Sequence, residues 1–142
     1  MRFWAWRKAD PGERPRPEVR LFVVYHDPTR VERVAHSLGL QKGLIGVVHA
    51  FASDGQEAEN NVVLAHELLH TLGATDKYEL GTNQPAFPDG YAEPERQPLL
   101  PQHLAEIMAG RIPLEQGKAD IPHGLHQVVV GGKTAREINW LR

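Results

Sequence analysis

The chain has 142 residues, enough for one domain with a real hydrophobic core and little room for a second. Its 16 Lys and Arg against 18 Asp and Glu leave a formal charge of −2, so no overall field favours nucleic acid or an anionic membrane, and neither partner is expected. The absence of cysteine excludes disulfides, thiolate catalysis and cysteine-bound zinc, whereas eight histidines supply the commonest metal ligand in quantity.

Residues 1–17 read as a flexible N-terminal arm. The opening eight are aromatic and basic, with an apolar part too short for an export signal, and 9–17 is a run of proline, glycine and charge. As written, the chain is expected in the cytoplasm. The same aromatic and basic start also matches the water-side end of a removed membrane anchor, which would place the remainder outside the cytoplasm. A single domain is expected over 18–142.

Residues 19–25 are rich in β-branched and aromatic side chains and predict a strand. Asp27-Pro28 supplies a helix cap followed by proline at the first position. Val31, Val34, Ala35 and Leu38 then recur at helical spacing before Gly39, which predicts an amphipathic helix. A second strand is expected over 44–52, ended by Ser53-Asp54-Gly55. Asn60 is a plausible cap for the next helix. Its residues 62–72 are apolar on nearly every side except at His66, Glu67, His70 and Thr71, the pattern of a buried helix. Residues 79–101, with four internal prolines and two glycines, predict a long loop. A short helical turn over 103–107 precedes Met108-Ala109-Gly110. The capping box Thr134-Ala135-Arg136-Glu137 opens a last helix with Ile138 and Leu141 facing inward.

His66-Glu67-Leu68-Leu69-His70 is an H-E-x-x-H motif inside the best helix of the chain. Residues four apart project from one face, so both imidazoles can share a tetrahedral metal, while Glu67 is rotated to act on water rather than on the ion. The motif continues through Gly73 to Asp76 as H-E-x-x-H-x-x-G-x-x-D. Gly73 stands where a left-handed residue stops a helix, and the turn it permits returns Asp76 toward the metal as third ligand. Two His and one carboxylate leave a fourth position for water, the composition of a catalytic zinc site. Requiring Gly73 and Asp76 lowers the chance expectation from roughly 4% to on the order of 1 in 10⁴ for random chains of this composition.

Residues 66–76 resemble the extended zinc motif of the metzincin metallopeptidases, in the variant with Asp as third ligand found in the small snapalysin-like enzymes. Tyr78 matches the tyrosine two residues beyond that Asp, and Ala105-Glu106-Ile107-Met108-Ala109-Gly110 is similar to the Met-turn beneath the metal. The resemblance implies an α+β, zincin-like fold: a small twisted, mainly N-terminal sheet on the active-site helix, then the Met-turn and a C-terminal helix. It implies one catalytic zinc held by His66, His70 and Asp76, with Gly73 and Met108 in structural support. Glu67 would be general base and then acid in peptide-bond hydrolysis, and a peptide substrate would pair as an extended strand along 46–52. In several metzincins a tyrosine two residues past the Met-turn Met steadies the tetrahedral intermediate. Gly110 stands there in this chain, so Tyr78 is the candidate oxyanion stabiliser.

Two other functions fit the same ligands: a zinc-stabilised module that binds peptides without cutting them, and a zinc hydrolase of a non-peptide substrate. A binding module has no use for Glu67. Among the other histidines, His26 reads as a turn residue, His36 as the polar side of the first helix, and His103, His123 and His126 as loop residues. His49 is a candidate to face the cleft. Asp89, Glu93 and Glu95 do not match a calcium loop. A monomer is assumed.

Overall fold

Residues 19–141 are described by the structure, a computed structural model; the arm expected over 1–17 lies outside them. The architecture is mixed α+β. Strand β1 (Arg20–His26) runs parallel to β3 (Ile45–Phe51), and the short β2 (Leu38–Leu40) pairs antiparallel on the other side of β3, giving the order β1-β3-β2. Strand β3 is therefore central, which corrects the expectation that this segment forms the edge for an extended peptide. The edge on that side of the sheet is β2.

One sheet face is dry. Gly39, Gly46, Val48 and Ala50 share it, and Val48 and Ala50 are almost fully buried. Helix α1 (Glu57–Thr71) lies across this face after a 3₁₀ turn over Asp54–Gln56. It starts three residues before Asn60, so Asn60 is not its cap. The Asn60 amide instead closes the end of β3, accepting from Phe51 N at 3.1 Å and donating to Phe51 O at 2.9 Å. That exchange copies a ladder pair where no further strand is available.

The helix expected after Asp27 does not form. Asp27 does start a turn, accepting from the Thr29 amide and hydroxyl at 2.9 and 2.7 Å, but the chain leaves it and reaches β2 at Leu38. Gly39, expected as a helix stop, sits in β2 against α1. A Cβ there would collide with the Glu67 carbonyl and lie 2.7 Å from His70 Cβ. Pairing with β3 and close approach to α1 outweigh a local helical pattern.

The C-terminal half is held by short elements: β4 (Ala105–Glu106) parallel to β7 (Val128–Val129), and the hairpin of β5 (Ile112–Glu115) with β6 (Lys118–Asp120). The long irregular segment expected over 79–101 is present, pinned from inside by Gln102. Its amide accepts from Glu93 N and donates to Glu93 O and Leu99 O. The helical turn expected over 103–107 is strand at Ala105–Glu106 and a turn at Met108. Helix α2 (Gly132–Glu137) begins two residues before the expected capping box, because the Thr134 hydroxyl is committed to Glu106 at 2.7 Å. Ile138 is buried as expected. Leu141 is 52% exposed and does not face inward.

Candidate metal centre

His66 and His70 project from one side of α1, as their spacing dictates. The helix then ends in a Schellman motif: Gly73 N donates to His70 O at 3.1 Å, Ala74 N donates to Leu69 O at 3.0 Å, and Gly73 takes φ +105°. Leu69 and Ala74 pack together in the core beneath, with Met108, Ile107 and Ile138. The reversal returns the chain toward the helix face it has just left. Asp76 Oδ1 lies 3.3 Å from His66 Nε2 and 3.2 Å from His70 Nε2, and the two Nε2 atoms are 3.0 Å apart.

The far side of each imidazole is fixed. His66 Nδ1 donates to Ile107 O and His70 Nδ1 to Ala74 O, both at 2.9 Å. With the proton on Nδ1, each Nε2 presents a lone pair to the shared space. With both rings neutral, two lone pairs and a carboxylate oxygen converge with no donor among them, an arrangement that a proton on one ring or a metal cation relieves. A tetrahedron with zinc–nitrogen distances of about 2.0–2.1 Å has edges of about 3.3 Å. The observed triangle of 3.0, 3.2 and 3.3 Å is close to that size. His66, His70 and Asp76 thus form a group that could hold a metal.

Charge in the group follows from contact. Burial alone would raise Asp76, but hydrogen bonds and positive charge from His66 and His70 hold it well below the usual carboxylate range. Burial would lower His70, and Asp76, the Ala74 carbonyl and Glu67 together raise it. Glu67 is raised chiefly by burial, with His66 and His70 opposing and Asp76 adding to the rise. It is only 6% exposed, and its Oε2 has no hydrogen-bond partner among the described residues. Tyr78 is half-buried. Its phenol is raised by burial and by the adjacent Asp76 carboxylate, which brings the hydroxyl to the edge of the same group.

Met108 is completely buried and does not offer a ligand; its turn acts through backbone, since the neighbouring Ile107 carbonyl orients His66. Glu106, which sequence reasoning missed, builds that turn. Its Oε2 accepts from Met108 N at 2.7 Å and Ala109 N at 3.1 Å, while Oε1 accepts from Gly131 N at 3.1 Å and Thr134 Oγ1 at 2.7 Å. Gly110 has φ +68° and open space beside it.

The other histidines stay away from this group. His26 is the last residue of β1 rather than a turn residue, and its Nε2 lies 2.9 Å from His49 Nδ1. Both lie on the sheet face opposite α1, so His49 does not face the centre. His36 lies in irregular chain, His103 beside Arg96 and Glu93, and His123 beside Glu59. Asp89 pairs with Lys133. In comparisons with protein-family models, curated proteins and solved structures, nothing matches the chain.

Proposed function

We propose that this protein is a zinc-dependent endopeptidase of the metzincin type, with Asp76 as third ligand and Met108 in the Met-turn position. The observation that carries the reading is the convergence of His66 Nε2, His70 Nε2 and Asp76 Oδ1 beside a buried carboxylate, Glu67, that has no partner at Oε2. A protein that only bound metal for folding would gain nothing from burying Glu67 there, since a carboxylate oxygen buried without a partner is costly. Hydrolysis gives that carboxylate a task.

His66, His70 and Asp76 would hold zinc, which supplies Lewis acidity toward a carbonyl and makes water a nucleophile near neutral pH. Glu67 takes the proton of the attacking water at its free carboxylate oxygen and returns it to the departing amine. Burial helps, because a raised carboxyl is a better proton carrier near neutrality. The Tyr78 hydroxyl donates to the oxygen on which charge develops. The negative charge of Asp76 partly offsets that of the ion, which sets the working pH above that of an all-histidine site.

A peptide is the substrate class that suits the surroundings. Strand β2 is an edge strand packed on α1 beside Glu67 and His70, and its outer side can add an extended chain by backbone pairing. Digestion of a proteome-derived peptide library, read by mass spectrometry, tests the proposal. The zinc-loaded protein should cut, a chelator should abolish cutting, and added zinc should restore it. Stoichiometric zinc without cleavage would leave a binding module, and no zinc uptake would remove the metal altogether.

A further inference from the structure

The third ligand is carried by three residues of loop, Thr75-Asp76-Lys77, and a mobile ligand would cost affinity each time it had to be ordered. Both neighbours of Asp76 are bound to one carboxylate from the far end of the chain. Glu137, the last residue of α2, accepts from Thr75 N on Oε2 at 3.0 Å and from Thr75 Oγ1 on Oε1 at 3.0 Å. Lys77 Nζ donates to the same Oε2 at 2.7 Å, and to Thr75 O at 2.6 Å and Thr75 Oγ1 at 2.8 Å. Lys77 is 3% exposed, so this ammonium has been taken out of water for these contacts. Its backbone is fixed as well, with Lys77 N donating to Met108 O at 3.0 Å. None of these groups touches the shared space between the histidines.

We infer that Glu137 and Lys77 form a clamp that positions Asp76 for metal binding. Residues 75 and 77 are held on opposite sides of Asp76 in sequence, which leaves the Asp76 backbone little freedom and aims its carboxylate at the two imidazoles. The clamp rests on the metal reading above, and its own consequence is separable from it: the ion is bound tightly because the third ligand is already in place. Glu137 and Lys77 are positioning residues, with no contact to the ion or substrate. Loss of an outer support of this kind lowers metal affinity by about 10–100-fold.

Zinc dissociation constants measured by chelator competition test the inference. They are compared for the wild type and for Glu137→Gln, Thr75→Val and Thr75→Ser, with Asp76→Ala as the reference for a lost ligand. Glu137→Gln should weaken binding by about 10–100-fold. Thr75→Val, which removes only the hydroxyl links at an exposed position, should weaken it by a smaller factor, and Thr75→Ser should stay near wild type. With cobalt(II) in place of zinc, the visible spectrum of Glu137→Gln should move toward that of Asp76→Ala, a change that mere loss of stability would not produce. Wild-type affinity and spectrum in both Glu137→Gln and Thr75→Val would overturn the clamp while leaving the metal centre standing. A wild type that takes up no zinc would instead remove the metal reading on which the clamp rests. If Glu137→Gln does not fold, the Thr75 pair decides the matter alone.

Discussion

Glu67→Gln separates the two things a buried carboxylate can contribute, its shape and its charge. The amide has nearly the same outline, and the charge it removes is one that burial opposes, so zinc content and melting temperature should be retained. Peptide cleavage should fall by about 10²–10⁴-fold, the usual worth of a positioned base. Retained cleavage in this variant would remove Glu67 from the chemistry. Tyr78→Phe is the finer probe, since it deletes one hydroxyl beside Asp76 and leaves the ring. If that hydroxyl meets developing charge, kcat should drop by roughly ten- to a thousand-fold with KM and zinc content nearly unchanged. Unchanged kcat would assign Tyr78 to packing. At this scale the candidate ligands were legible in the sequence because their geometry is local: His66, His70, Gly73 and Asp76 lie within one helix end and its Schellman turn. The roles of Glu106, Lys77 and Glu137 are not, because each also depends on a partner far away in sequence that leaves no spacing to read. Glu106 reaches Thr134, 28 residues on, and Lys77 reaches Glu137, 60 residues on.

Elements follow the same division. Strands β1 and β3 and helix α1 were foreseen within a few residues, since each has a periodic apolar pattern long enough to dominate its neighbours. The segment after Asp27 has apolar residues at helical spacing, but what decides its structure is the β3 edge and the surface of α1. Gly39 is where that decision is made. Gly39→Ala should destabilise the fold by about 3 kcal/mol, at the upper end of overpacking costs, because the obstacle is the backbone carbonyl of Glu67 and cannot rotate away. Chemical denaturation measures it, and a variant as stable as the wild type would mean that β2 can lift from α1. Glu106→Gln probes the turn at Met108. An amide nitrogen would face two donors where an oxygen now accepts, so a loss of about 2–4 kcal/mol is expected from charged hydrogen bonds exchanged for a clash of donors. A difference below about 1 kcal/mol would show that the turn stands without that carboxylate.

For the molecule as a whole, acid stability should report on the contact between the two ends of the site. Burial would raise Glu137, but hydrogen bonds from Lys77 and Thr75 outweigh it and hold the carboxyl below its ordinary range. A depressed folded-state value adds stability above the ordinary carboxylate range and loses it as pH falls through the depressed value. In chelator, the wild type should therefore lose stability more steeply than Glu137→Gln does as the pH falls through and below the ordinary carboxylate range. Parallel curves would show that the ion pair carries no net stabilisation. The supports of the centre also arrive late. Ile107 follows His66 by 41 residues and Glu137 follows Thr75 by 62. At about 5–20 residues per second, those last 62 take roughly 3–12 s to synthesise. Ile107 is made about halfway through that interval, so the carbonyl that turns His66 precedes the carboxylate that steadies the third ligand, and both follow the motif helix. On the proposed reading, a peptidase whose third ligand is steadied this late would be silent until Glu137 has been made and has reached Thr75.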